Sequence, residues 1–133
     1  MVMPANVTID VERKLVITDC AGMVTDAEFL EARRQLLADP DFDPSFDRLW
    51  DFSAVTEERV SAETLAHLVA TSPHHDAILR AVVVSMAPQT LSRVMDFVSQ
   101  SRKYNRQIAA FPTRKSAEEW LERERSALLQ PVG

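Results

Sequence analysis

Residues 48–56, Arg48-Leu49-Trp50-Asp51-Phe52-Ser53-Ala54-Val55-Thr56, carry the pattern that most narrows the choice of folds. They read as one buried strand running out into a polar turn, with segments of helical spacing on both sides. A second apolar, β-branched run, Leu79-Arg80-Ala81-Val82-Val83-Val84-Ser85, has the composition of a strand covered on both faces. Strands of this kind belong to parallel sheets sandwiched by helices.

The remaining segments fit that frame. Val7-Thr8-Ile9-Asp10-Val11 alternates apolar and polar, Glu12-Arg13 connects, and residues 14–20 form a second strand, so the chain opens with an antiparallel hairpin. Ala21-Gly22-Met23-Val24 then leaves the sheet. Thr25-Asp26-Ala27-Glu28 is a capping box, opening a helix with Phe29, Leu30, Leu36 and Leu37 on its apolar side. The Asp/Pro-rich loop 39–44 ends that helix before the central strand. Thr56-Glu57-Glu58-Arg59-Val60 reads as a turn. Ser61 caps a helix with Ala62, Leu65, Leu68 and Val69 inward. Pro88 suits a first helical turn, after which Leu91, Val94, Met95 and Val98 recur at i, i+3, i+4, i+7. Residues 107–111 are a short last strand. Thr113 or Ser116 caps a final helix with Ala117, Trp120, Leu121 and Leu128 inward. The order is β-β-α-β-α-β-α-β-α: an α/β fold with an N-terminal antiparallel hairpin plus parallel βαβ units in one mixed sheet, a single domain over 1–133.

Composition removes several functions. A formal charge of −5 disfavours nucleic acid and anionic membrane surfaces as partners. No apolar run is long enough to insert in a membrane, and the N-terminus lacks a signal-peptide pattern. The single cysteine, Cys20, suits a reducing cytoplasm. With two glycines, Gly22 and Gly133, the chain has no phosphate-cradling P-loop or dinucleotide motif.

No serine stands between the paired glycines of a GxSxG nucleophile elbow, and Cys20 lies in a different region from His67, His74 and His75, so the chain reads as non-catalytic. His67, His74, His75 and Asp76 are zinc-ligand residue types. Adjacent loop histidines seldom reach one ion, however, and these read as a solvated helix end. Asp39, Asp41, Asp43 and Asp47 imitate a calcium loop, but Pro44 and Trp50 stand where it needs glycine and glutamate. No metal or cofactor is expected.

The segment Leu49-Trp50-Asp51-Phe52-Ser53-Ala54-Val55-Thr56 and the strand order resemble the STAS domains of bacterial anti-sigma factor antagonists. In those, a buried strand ends in a similar Asp-x-Ser-x-Val turn, followed by a helix with a phosphorylatable Ser or Thr at its start. The chain is also similar to uncharacterised STAS-like proteins of bacteria, through Val24-Thr25-Asp26-Ala27 and Asp43-Pro44-Ser45-Phe46. The antagonists carry an Asp-Ser-Ser-Gly type motif where this chain has Arg59-Val60-Ser61-Ala62, so the resemblance carries over Ser61 alone as a phosphoacceptor.

Two readings follow. In the first, the chain is a non-catalytic interaction or regulatory module, a homodimer or the partner of another protein. Its recognition turn holds Asp51, Ser53, Thr56 and Ser61, and an exposed side with Phe97, Ser101, Arg102 and Tyr104 offers a contact surface. Sites in open α/β sheets form at the carboxyl ends of parallel strands, here Val55-Thr56, Ser85-Met86-Ala87 and Phe111-Pro112. In the second, it carries a small apolar ligand or lipid, as CRAL-TRIO domains do, in a pocket walled by Trp50, Phe52, Leu91 and Met95.

Overall fold

The computed structural model describes residues 4–129 apart from Met86 and Asn105. Its opening hairpin pairs β1 (Ala5–Asp10) antiparallel with β2 (Leu15–Thr25), Asp10 opposite Leu15. Then come α1 (Asp26–Ala38), β3 (Asp47–Arg59), α2 (Ala62–Ala70), β4 (Leu79–Val83), α3 (Pro88–Arg102), β5 (Gln107–Phe111) and α4 (Arg114–Leu129). The chain thus adopts the element order and mixed sheet expected from its sequence. Among the described residues no helix is long and apolar enough to cross a membrane.

The strands lie in chain order, and every pair after the hairpin is parallel. A sheet that grows steadily in one direction through crossovers of one hand receives every crossover helix on the same face. α1, α2 and α3 therefore share a face, and α4 covers the other. Strand alternation sorts the side chains between two cores. Cys20, Phe52 and Val82 meet Ala32 of α1 and Val94 and Val98 of α3. Leu15, Ile17, Leu49, Leu79, Ala81 and Val83 meet Ala117 and Leu121 of α4. α2 bridges the first layer, packing Leu65 and Val69 against Phe29 and Phe97.

Tertiary pairing extends two strands beyond their expected ends. Ala21-Gly22-Met23-Val24 stays in the sheet, and the segment expected as a turn after Val55 is strand, with Met23 opposite Glu57 and Thr25 opposite Arg59. Two register shifts allow this, the second beside Gly22, whose φ of 67° suits a residue without a Cβ. Pairing supplies hydrogen-bond partners for backbone that would otherwise need water, which outweighs the polar, turn-like composition of 56–59.

The helices are also rotated from their expected faces. α1 buries Ala32 and Leu36 and half-buries Phe29 and Arg33, while Leu30 and Leu37 point to solvent. α2 leaves Ala62 exposed. α3 buries Thr90, Val94, Val98 and Ser101, leaving Leu91 and Met95 outside. Phe97 packs on Trp50 with ring centroids 4.9 Å apart, so neither it nor Ser101 belongs to an exposed side. Leu128 is exposed at the end of α4.

The expected caps are in place. The Thr25 N–H donates to Glu28 Oε2 at 2.9 Å, Pro88 occupies the first turn of α3, and Thr113 Oγ1 accepts from the Ser116 N–H at 3.1 Å.

Candidate functional site

A cavity lies between the sheet and the three-helix layer, with a volume of about 110 Å³. Strand periodicity builds its floor. Arg48 and Trp50 leave β3 on the face covered by α1, α2 and α3, and the parallel register sets Arg48 beside Arg80 and Trp50 beside Thr18 and Val82. Phe29, Phe52, Val94 and Phe97 supply apolar walls. Phe29 stands edge-on to Phe52 at 6.2 Å. Arg33 comes from α1, His74 from the loop after α2, and Arg106 from the residue before β5.

Five arginines thus line this space inside an acidic protein, and four are spent on the fold, Arg93 among them through its ion pair with Glu58 at 3.3 Å. Arg33 donates to Leu68 O at 2.7 Å and to Thr71 Oγ1 at 2.8 Å, at the end of α2 where a cation complements the helix dipole. Arg80 donates to the carbonyls of His75, Asp76 and Ile78 at 3.1–3.3 Å, holding the turn into β4. Arg106 binds Val69 O at 2.7 Å and Asp76 Oδ1 at 2.9 Å.

Arg48 is different. It is 7% exposed, and its guanidinium lies 4.4 Å over the Trp50 ring. Its Nε and Nη1 have no hydrogen-bond partner among the described residues. Burial, followed by the charges of Arg33 and Arg80, holds its pKa down to about 9, so it remains charged at neutral pH. His74 is buried against Phe42, both its ring nitrogens unpaired among the described residues, and is not a solvated helix end. Burial, then the charges of Arg48, Arg80, Arg33 and Arg106, push its pKa down to about 2, so the ring is neutral. Thr18 Oγ1, Thr90 Oγ1 and Ser101 Oγ are likewise buried and without a hydrogen-bond partner among the described residues. All of these atoms belong to residues lining the cavity. Buried polar groups in folded proteins are nearly all paired, so their concentration in one space identifies the site.

The residues singled out from the sequence are divided between faces. Trp50 and Phe52 line the cavity; Leu91 and Met95 do not, because α3 turns them outward. Asp51 faces the α4 side, where its carboxylate accepts from the Ser53 N–H at 2.9 Å, the Ser53 hydroxyl at 2.6 Å and Arg114 Nη1 at 3.1 Å. Burial would raise the Asp51 pKa, but these hydrogen bonds and the Arg114 charge together hold it below the usual range. Thr56 is exposed on the β3 extension.

Ser61 caps α2, accepting from the Thr64 N–H at 3.1 Å. Its own N–H and hydroxyl donate to Asp26 at 2.7 and 2.9 Å. A phosphate on Ser61 would therefore meet a carboxylate. Cys20 is buried, and burial pushes its thiol up to about 12, far from a nucleophilic thiolate. Among the described residues, no three His, Cys, Asp or Glu side chains converge as metal ligands.

The carboxyl ends of the parallel strands do meet. Ser85 Oγ donates to Val55 O at 2.9 Å and the Val84 N–H to Phe111 O at 3.0 Å, while Met86 lies outside the described residues. The cavity, however, lies over the face of the sheet and reaches back to Arg48 and Arg80 near the strand beginnings. One signal for it lies in the sequence. Alternation puts Arg48 on the same side of its strand as Trp50 and Phe52, and an arginine inside a strand covered on both faces is a buried charge in search of a partner.

Comparison with protein-family models, curated proteins and solved structures gave no match to this chain.

Proposed function

We propose that this protein is a non-catalytic, STAS-like binding module that takes up a small molecule between its sheet and its three-helix layer. The observation that carries this reading is the cavity itself, where aromatic walls meet buried polar atoms that have no partner among the described residues. Native interiors are close-packed and pair their polar groups, so a space of this kind suits an occupant. The STAS-like element rests on residues 49–56 and on the strand order. The acidic composition and the lone, buried Cys20 support a cytoplasmic setting.

Native mass spectrometry on protein purified from its own cells tests the proposal. The expected spectrum carries a small added mass that is lost on denaturation. A spectrum without added mass, from protein that also binds no small molecule on titration, would overturn it.

A second reading, a protein-interaction module or homodimer, is favoured by Leu91 and Met95. They lie one turn apart on the outer side of α3, 36% and 44% exposed. Sedimentation of the wild type and Met95→Glu checks it: a dimer lost in the variant supports the reading, and a monomer in both removes it.

A further inference from the structure

We infer that the ligand is a small amphipathic acid, its anion held by Arg48 and its apolar body lying against Trp50, Phe52 and Phe97. The inference rests on the ligand-binding reading above and names the chemistry of that ligand.

The charge inventory carries the argument. Arg33 and Arg80 are satisfied by uncharged oxygens, and Arg106 has one carboxylate, Asp76, whose side chain is 63% exposed. Among the described residues, the one carboxylate lining the cavity is Glu58, which is engaged by Arg93 at 3.3 Å and by the Val60 N–H. Arg48 is in none of the ion pairs among the described residues, and its Nε and Nη1 find no hydrogen-bond partner there. A guanidinium more than nine-tenths buried with unspent N–H groups is matched by a carboxylate, whose planar, charged oxygens take hydrogen bonds and charge together. Water would supply hydrogen bonds without the charge, and a neutral apolar ligand would supply neither.

Around the same space, the Thr18 and Ser101 hydroxyls and the neutral His74 ring each have a donor to offer an oxyanion. The aromatic walls require a body as well as a charge, which separates this ligand from a free inorganic ion. Size limits that body. The volume of about 110 Å³ is of the order of the ~150 Å³ cavity that admits benzene, and too small for a long acyl chain.

Titration of the full chain with three probes tests the inference, read by calorimetry and by tryptophan fluorescence. Benzoate has charge and body, benzyl alcohol has the body alone, and inorganic phosphate has the charge alone. The expected result is benzoate binding about tenfold or more tighter than either other probe, the scale of a charged hydrogen bond. Arg48→Met should abolish the preference for benzoate while still binding benzyl alcohol. Equal binding of benzoate and benzyl alcohol by the wild type would overturn the acid inference but leave the ligand-binding reading standing. Phosphate binding as tightly as benzoate would overturn the amphipathic part. Binding of none of the three would overturn both. Should Arg48→Met fail to fold by circular dichroism, the wild-type comparison of the three probes decides alone.

Discussion

Arg48 concentrates the energetic problem of this molecule in a single side chain. A buried charge costs several kcal/mol in desolvation, and here the face of Trp50 offsets part of it. Replacing such a charge with an apolar residue of similar length often stabilises a protein. Arg48→Met should therefore raise the unfolding free energy of the unliganded protein by about 1–3 kcal/mol, measured by urea denaturation. His74 makes the complementary prediction. Its pKa is about 2 in the folded chain and about 6.5 in the unfolded one, so the unfolded state binds the extra proton as pH falls below that value. Stability contributed by neutral His74 is present above pH ~6.5 and should decline by about 1.4 kcal/mol per unit below it. His74→Phe should flatten the stability profile between roughly pH 6.5 and 5, a window above the titration of carboxylates such as Asp26 and Asp51, whose lowered values act at more acid pH.

Among the elements, helix ends and helix faces differ in how far local chain dictates them. The Thr25 box, the Ser61 cap and Pro88 are all legible in the sequence, because each is settled within four residues of chain. That Ser61 is also held by Asp26, 35 residues earlier, is not legible there. Ser61→Ala should cost about 1 kcal/mol in thermal or urea unfolding, the usual weight of a cap. Helix faces are ambiguous wherever apolar residues ring more than one side, as Leu30, Leu37, Leu91 and Met95 do. Packing then selects the stripe that turns inward. α4 allows a paired check, since among the described residues it is the one helix packed on its face of the sheet. Leu121→Ala, at a buried position, should cost about 2–5 kcal/mol. Leu128→Ala, at a position 70% exposed, should change stability by no more than about 0.5 kcal/mol.

The whole molecule sets an acidic exterior against a cationic interior. With a formal charge of −5, its outer field repels the anion that Arg48 would hold. Benzoate should therefore associate faster as ionic strength rises from about 0.01 to 0.15 M, where the screening length falls from roughly 30 to 8 Å. Stopped-flow fluorescence measures this, and a rate that falls with salt would contradict it. Element order, the mixed sheet and the caps are already written in the chain, because strand and helix periods and capping hydrogen bonds act over a few residues. Folding in three dimensions adds how far β2 and β3 run together, which way each helix turns, and the meeting of Arg33, Arg48, Arg80, Arg106 and His74 in one interior space. Those outcomes depend on contacts between residues tens of positions apart. Whether a buried arginine finds a carboxylate is likewise settled only once every element has packed.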